Sequence, residues 1–309
     1  MSSVNATAIS YTPTDIANQM MGNINTQQSL QASLEEQLSS GTQINSPSDN
    51  PAGAASVLRL SSSIARATQY QANATDGLGW LSLGDSTMNS IVSTLQSVQQ
   101  SAESITGTAL TGGSVALHAV AAQITGASQQ LLSLANTTYN GQAIFAGTGN
   151  VTQAYDANGN YVGGGSAPTR TVGPGTQVPI AVTGTAVFGT GSTGLLGPGG
   201  ALAQLVSDIN TGTPASLEAA TTTDLTAVNT ALTQVETQAG TLGSSYQQMQ
   251  AFSLQATATS TALQTQMSGT DGTNVAQVST ELTQAQQTYQ SGLWAISQLQ
   301  QDSLVQYLQ

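Results

Sequence analysis

The chain of 309 residues contains no cysteine and no lysine, and Asp, Glu, Lys and Arg together make up 6% of it, against about a quarter in an ordinary soluble domain. Without cysteine there is neither a disulfide framework nor a thiolate metal site. The cations are Arg59, Arg66 and Arg170, and the formal net charge is -12. That sign opposes phosphate backbones and no basic cluster offsets it, which argues against nucleic acid and anionic membrane surfaces as partners. Aromatic residues are scarce at 4% and apolar residues reach 39%, a balance that suits thin helical packing better than a thick globular interior. No apolar run approaches the length of a membrane span, so no membrane insertion is expected. The opening Met1-Ser-Ser-Val4 lacks a basic segment followed by an apolar core, so export would need a route other than a cleaved signal peptide.

What the chain does have is helical periodicity, most tellingly at its end. Val278, Leu282, Ala285, Tyr289, Gly292, Ile296 and Leu299 alternate at spacings of four and three, the pattern of a helix that needs a partner along one stripe. Trp294, Leu293, Leu304, Tyr307 and Leu308 lie off that stripe or near the free end. Either they complete this chain's own core or they bind neighbouring copies, and the little globular chain left to cover them favours the second.

In chain order, Thr12 followed by Pro13 and Asp15 is a favourable helix start. Ile16, Met20, Ile24, Leu30, Leu34 and Leu38 then mark an apolar stripe, and Gly41 is placed as the left-handed stop. Ile44-Asn-Ser-Pro-Ser-Asp-Asn-Pro-Ala-Gly53 reads as a turn that hands into a new helix at Pro51. From Val57 a three-four spacing runs through Leu60, Ile64, Ala67, Gln71, Ala74, Leu78, Leu81, Asp85, Met88, Val92 and Leu95, with a bend or close backbone contact expected at Gly77, Gly79 and Gly84. A third helix carries Val120, Ile124, Ala127, Leu131 and Leu134 and is expected to end near Asn140-Gly141.

Residues 143–200 turn to Gly, Thr, Val and Pro, and Asn158-Gly159 between Tyr155 and Tyr161 signals a hairpin whose central residues both favour positive φ. Helices resume at Ala201, and Leu225, Val228, Leu232, Val235, Ala239, Leu242, Tyr246, Met249, Ser253, Ala256, Ser260, Leu263 and Met267 form another long series. The expected fold is mainly α: long antiparallel coiled-coil-like helices from both halves of the chain, with a small Gly-rich β domain inserted in the middle. The expected organisation is 1–42 for the N-terminal helix of a terminal coiled-coil domain, 43–142 for the first half of a helical bundle, 143–200 for the β insert, 201–272 for the second half of the bundle, and 273–309 for the C-terminal helix.

Catalytic readings find no support. His118 is the lone histidine and no Ser-His-Asp pattern accompanies it. Gly173-Pro-Gly175 lacks the lysine of a phosphate loop. Asp156-Ala-Asn-Gly-Asn160 imitates the start of a calcium loop, but Tyr161 stands where glycine is required and Ala167 where glutamate is. No catalytic, cofactor or metal residue is assigned, and the chain is read as a structural protein rather than an enzyme.

Leu38-Ser-Ser-Gly-Thr-Gln-Ile-Asn-Ser-Pro-Ser-Asp-Asn-Pro-Ala-Gly53, with Asn45, Pro47, Ser48, Asp49 and Pro51, resembles the signature loop after the first helix of the bacterial flagellin family; Asn140-Gly-Gln-Ala-Ile-Phe-Ala-Gly-Thr148 is similar to a second shared segment. Tyr155 to Val162, Val172 to Gly189, and the ending Tyr289-Gln-Ser-Gly-Leu-Trp-Ala-Ile296 resemble the hook-associated branch that joins flagellar hook to filament. The resemblance spans nearly the whole chain. It implies a secreted, self-assembling subunit of the flagellum at that junction, or alternatively the filament subunit, with a carbohydrate-binding or hydrolytic protein as a remoter reading. Implied partners are other copies of the chain, the preceding junction protein, flagellin, an export chaperone and the flagellar type III export apparatus.

Assembly is expected to rest on Ile16, Met20, Leu34 and Leu38 at the front and Val278, Leu282, Tyr289, Ile296 and Leu299 behind, with Trp294 and Tyr307 as anchors. Family members often carry basic residues after the loop glycine and in the penultimate helix. Here those places hold Thr42-Gln43 and Leu242-Gly-Ser-Ser245, so apolar and neutral groups must make the contacts. The shortage of charge fits either an acidic habitat or a lineage-wide bias in composition.

Overall fold

The computed structural model describes residues 13–105, 113–149 and 151–307; the side chains of residues 13, 14, 192 and 299–307 lie outside that description, as does Thr12. The elements are α1 (Pro13–Ser40), α2 (Pro51–Glu103), α3 (Gly113–Ala135), β1 (Thr138–Tyr139), β2 (Gln142–Ala143), β3 (Thr169–Gly173), β4 (Thr176–Pro179), α4 (Gly184–Phe188), α5 (Ala201–Thr211), α6 (Pro214–Ala219), a π-helical turn (Ala220–Asp224), α7 (Leu225–Asp271) and α8 (Val275–Tyr307). The fold is mainly α, with long helices from both halves and a small β-containing region between them. No described helix is long and apolar enough to cross a membrane, and no group of three or more His, Asp and Glu among the described residues could hold a metal ion.

The chain divides into two compact units, Met1–Ile64 with Thr261–Gln309, and Ala65–Ser260. In the second unit α2 and α7 run antiparallel. A Cβ placed on Gly77 would lie 2.6 Å from Met249 Cε, and one on Gly84 would lie 3.4 Å from Leu242 Cδ1, so later residues of one helix meet earlier residues of the other. The glycines thus mark close approach, as expected, within a single continuous helix.

The buried set of α2 differs from the expected seam. Ala67, Ala74, Leu81, Met88 and Leu95 are buried as read, and Leu78 and Val92 are half-buried against the core, but Gly77, Gly84 and Ile91, one residue earlier than Leu78, Asp85 and Val92, are the fully buried ones, and Asp85 is exposed. Trp80, Thr87 and Thr94 join them. A two-helix seam needs two positions per heptad. α2 buries three from Ala74 onward, because α3 and the β region cover it as well as α7. In α7, Val228, Val235, Leu242, Met249 and Ala256 follow the expected series, while Ser245 is buried in place of Tyr246.

Two turn assignments are corrected. α3 stops at Ala135, and Asn140-Gly141 turns the β1–β2 hairpin, pairing Tyr139 with Gln142; both central residues have positive φ, 49° and 81°. Asn158-Gly159 is the other case, since there only Gly159 has positive φ, 80°. Its tightness comes from Asp156, whose Oδ1 accepts from the backbone N–H of Asn158 and of Asn160 at 2.9 and 2.8 Å. Asn160 Nδ2 donates to Oδ2 at 3.0 Å, and these bonds, the Asn160 side chain first, hold the Asp156 carboxyl below its usual pKa. The turn uses the acid fully, as a hairpin reading requires.

The β region is packed by Phe145, Tyr155, Tyr161 and Phe188, whose rings meet edge-on at centroid distances of 5.3 to 5.8 Å. It is tied to α2 by three contacts: Asn73 Nδ2 donates to the Thr171 carbonyl at 2.8 Å, Arg170 Nε to Asp76 Oδ2 at 2.8 Å, and the Arg170 guanidinium lies 5.9 Å from the Trp80 ring centre. Along the long helices, Ser and Thr hydroxyls repeatedly donate to the carbonyl four residues back, as at Ser90, Ser93, Ser97, Thr226, Thr230 and Thr237.

Candidate assembly interface

The terminal unit contains every residue expected to carry assembly. α1 and α8 pair antiparallel, with Leu34, Val278 and Ala285 buried and Leu38 and Leu282 half-buried against them. Ile16, Met20, Tyr289 and Ile296 are half-buried. Towards the chain ends, Met20, Ile24, Tyr289, Gly292 and Ala295 line a groove of about 240 Å³ together with polar side chains. Gly292 lets the helices approach there: a Cβ on it would sit 3.3 Å from Ile24.

The stripe on α1 needs one correction. Leu30 was placed on it, yet Leu30 is 45% exposed. The positions that follow the three-four spacing between Ile24 and Leu34 are 27 and 31, both glutamine. Gln27 Nε2 donates to the Ala285 carbonyl at 3.4 Å, and Gln31 Nε2 is buried with no acceptor among the described residues. Leu30 is apolar but lies outside the three-four register, and strict spacing places the two glutamines on the stripe.

Trp294 differs from the seam residues. It is 70% exposed, and Leu293 beside it 46%. On α1, Met21 is 51% exposed. The expected interface therefore divides: the stripe residues are occupied within one chain, and the off-stripe apolar residues remain open. Leu299 and Tyr307 fall outside the described side chains.

The signature loop folds through its own polar groups. The Gly41 N–H donates to the Gln37 carbonyl at 3.0 Å with φ +73°, which closes α1 in the left-handed manner. Asn45 Oδ1 accepts from Thr42 Oγ1 at 2.7 Å, Asp49 Oδ2 accepts from the Ser46 N–H at 2.8 Å, and Asn50 Oδ1 accepts from the Gly53 N–H at 2.9 Å, with Pro51 as the first helical residue of α2. Pro47 and Ser48 are exposed at the tip.

Sequence reasoning missed what holds the loop in place. Asp271, 6% exposed at the end of α7, accepts the Ile44 N–H at 2.9 Å on its carboxylate and the Gln43 N–H at 2.6 Å on its carbonyl. Thr273 N–H donates to the Gly41 carbonyl at 3.2 Å, and Thr42 pairs with Gly272 as an antiparallel bridge. The turn between α1 and α2 is thereby stitched to the turn between α7 and α8. No local pattern announces a contact between residues so distant in sequence.

Comparison with known proteins agrees with this arrangement. The model of the bacterial flagellin N-terminal helical region matches residues 14–150, and that of the bacterial flagellin C-terminal helical region matches residues 225–308. Flagellar hook-associated protein 3 of Salmonella typhimurium is 31% identical over 172 residues, 55% of this chain and 54% of that protein. The Escherichia coli protein of the same name is 32% identical over 155 residues, 50% of this chain and 48% of its own. The match thus spans about half the length of these curated relatives. Among solved structures, a flagellar hook-associated protein from Vibrio parahaemolyticus shares the fold at a TM-score of 0.61 and 19% identity, over 72% of this chain and 100% of that one. Bacillus cereus FlgL does so at 0.51 and 18%, over 63% and 98%. With both helical regions matched in order, and their residues forming the paired helices and the stitched loop, the chain belongs to the bacterial flagellin family.

Proposed function

We propose that this chain is a structural subunit of the bacterial flagellum that forms the junction between hook and filament and assembles through α1 and α8. The observation that carries this reading is the similarity to two proteins named flagellar hook-associated protein 3. The exposed Trp294 and Leu293 support it, because they leave apolar surface on α8 after its seam is filled. Its partners are other copies of itself, the preceding junction protein and flagellin, and an export chaperone and the type III apparatus deliver it to the cell exterior. The chain acts by assembling and has no catalytic role. The finer division at 42, 142, 200 and 272 describes its working parts: terminal coiled coil, helical bundle and outer β insert.

Polymerisation distinguishes this reading from that of a filament subunit. A junction subunit needs neighbours of other kinds, whereas a filament subunit forms long filaments alone. Deleting Gln290 to Gln309 in cells and following flagella by electron microscopy, with flagellin assayed in the medium, tests it. Hooks without filaments and flagellin shed into the medium are expected. Normal filaments would overturn the proposal, and capped hooks with no flagellin anywhere would make the chain the filament subunit.

A further inference from the structure

The helix that begins at Pro214 widens into the π turn Ala220–Asp224 before α7 continues. Such turns are rare and occur frequently at functional sites. The residue that ends this one is Asp224, 5% exposed, with an Oδ2 that finds no donor among the described residues. A carboxylate buried without a cation or a full set of donors is costly.

Its neighbour is a second acid. α5 packs against the π turn and against α6, and α5 brings the half-buried Asp208 within hydrogen-bonding reach of Asp224. Asp208 Oδ1 also accepts from Gln204 Nε2 at 3.2 Å. Two ionised carboxylates are both acceptors and cannot bond each other. One shared proton converts the pair into donor and acceptor. The other titratable groups on the packed elements are Glu218 of α6, which is exposed, and His118 of α3, which packs against α5 and leaves that side chain exposed. α7 has no titratable residue before Glu236. Burial first, then the charge of Asp208 and the hydrogen bond to it, push the Asp224 carboxyl up to about 6.

We propose that Asp208 and Asp224 form a proton-operated latch: in mildly acidic surroundings one shared proton fastens α5 to the π turn, and its loss towards neutrality loosens that junction. Because the folded state holds the proton more tightly than the unfolded chain, the latch contributes fully below about pH 4. Its contribution falls as pH rises towards about 6 and is gone beyond. This sign is opposite to that of a salt-bridged carboxylate.

The test uses the full chain and Asp224→Asn, whose amide can donate to Asp208 at any pH. Denaturant unfolding is followed from about pH 4 to pH 7. Relative to Asp224→Asn, the unmodified chain is expected to lose about a hundredfold in its unfolding equilibrium, with faster hydrogen exchange at α5 amides over the same range. Parallel profiles for the two proteins would overturn the latch. Carboxyl carbon-13 titration of Asp224 in the unmodified chain gives an answer even where the variant fails to fold: a midpoint near 6 supports the proposal, and one in the ordinary aspartate range refutes it.

Discussion

Asp271 shows how much a single side chain settles in this protein. Its carboxylate, on a residue 6% exposed, takes the N–H of the half-buried Ile44, so removing the acceptor leaves that donor without its partner. Asp271→Ala is expected to cost about 1–3 kcal/mol in the terminal unit and to speed hydrogen exchange at Ile44 and Gln43. Asp271→Asn keeps an acceptor oxygen and should cost less. Undiminished protection of those two amides in Asp271→Ala would show that the loop stands by itself. The sequence made the loop recognisable through Asn45, Pro47, Asp49 and Pro51, all of which act within a few residues. It left Asp271 unread because the partner lies 227 positions away.

At the scale of the element, α1 is the instructive case. A polar side chain at a seam position lowers stability and fixes register, and Gln31 occupies one with a buried Nε2 that finds no acceptor among the described residues. Gln31→Leu removes that orphan and adds apolar contact, so the α1–α8 pair is expected to gain roughly 1 kcal/mol or more, seen as a higher melting temperature for the terminal helices by circular dichroism. A lower melting temperature would mean that the amide has found water or another partner. The helices themselves were legible from three-four spacing, since burying one stripe demands it. The rotation of the α2 stripe from Asp85 to Gly84 was not, because spacing reports a helix's periodicity and says nothing of how many neighbours cover it. Asn140-Gly141 and Asn158-Gly159 make the same point for turns: identical dipeptides took different conformations, decided by strand pairing in one and by the Asp156 carboxylate in the other.

For the whole molecule the decisive quantity is charge. In strong acid the carboxylates are neutral, and the three arginines and one histidine leave only four positive side chains on 309 residues. Self-repulsion, one of the causes of acid unfolding, therefore has little to act on. Helical content is expected to persist at about pH 2.5, and far-ultraviolet circular dichroism at that pH and at pH 7 checks it; loss of helix at the acidic value would remove acid tolerance as an account of the composition. The carboxyl pair at the π turn points the same way, being favoured when protonated. Composition made this property visible, whereas the pairing of Asp208 with Asp224 arises only when α5 folds against the turn.

The hydroxyls that bond back along the helices bear on how such molecules meet. A serine or threonine whose O–H is already given to its own backbone presents little more than a methyl or methylene and an oxygen lone pair. A helix face coated in this way carries little charge and few hydroxyl donors seeking new partners. When two such faces meet, no complementary charges draw them together, and the net charge of -12 on each chain adds only a salt-screened repulsion. Only close conformity of their surfaces distinguishes a correct neighbour from an incorrect one.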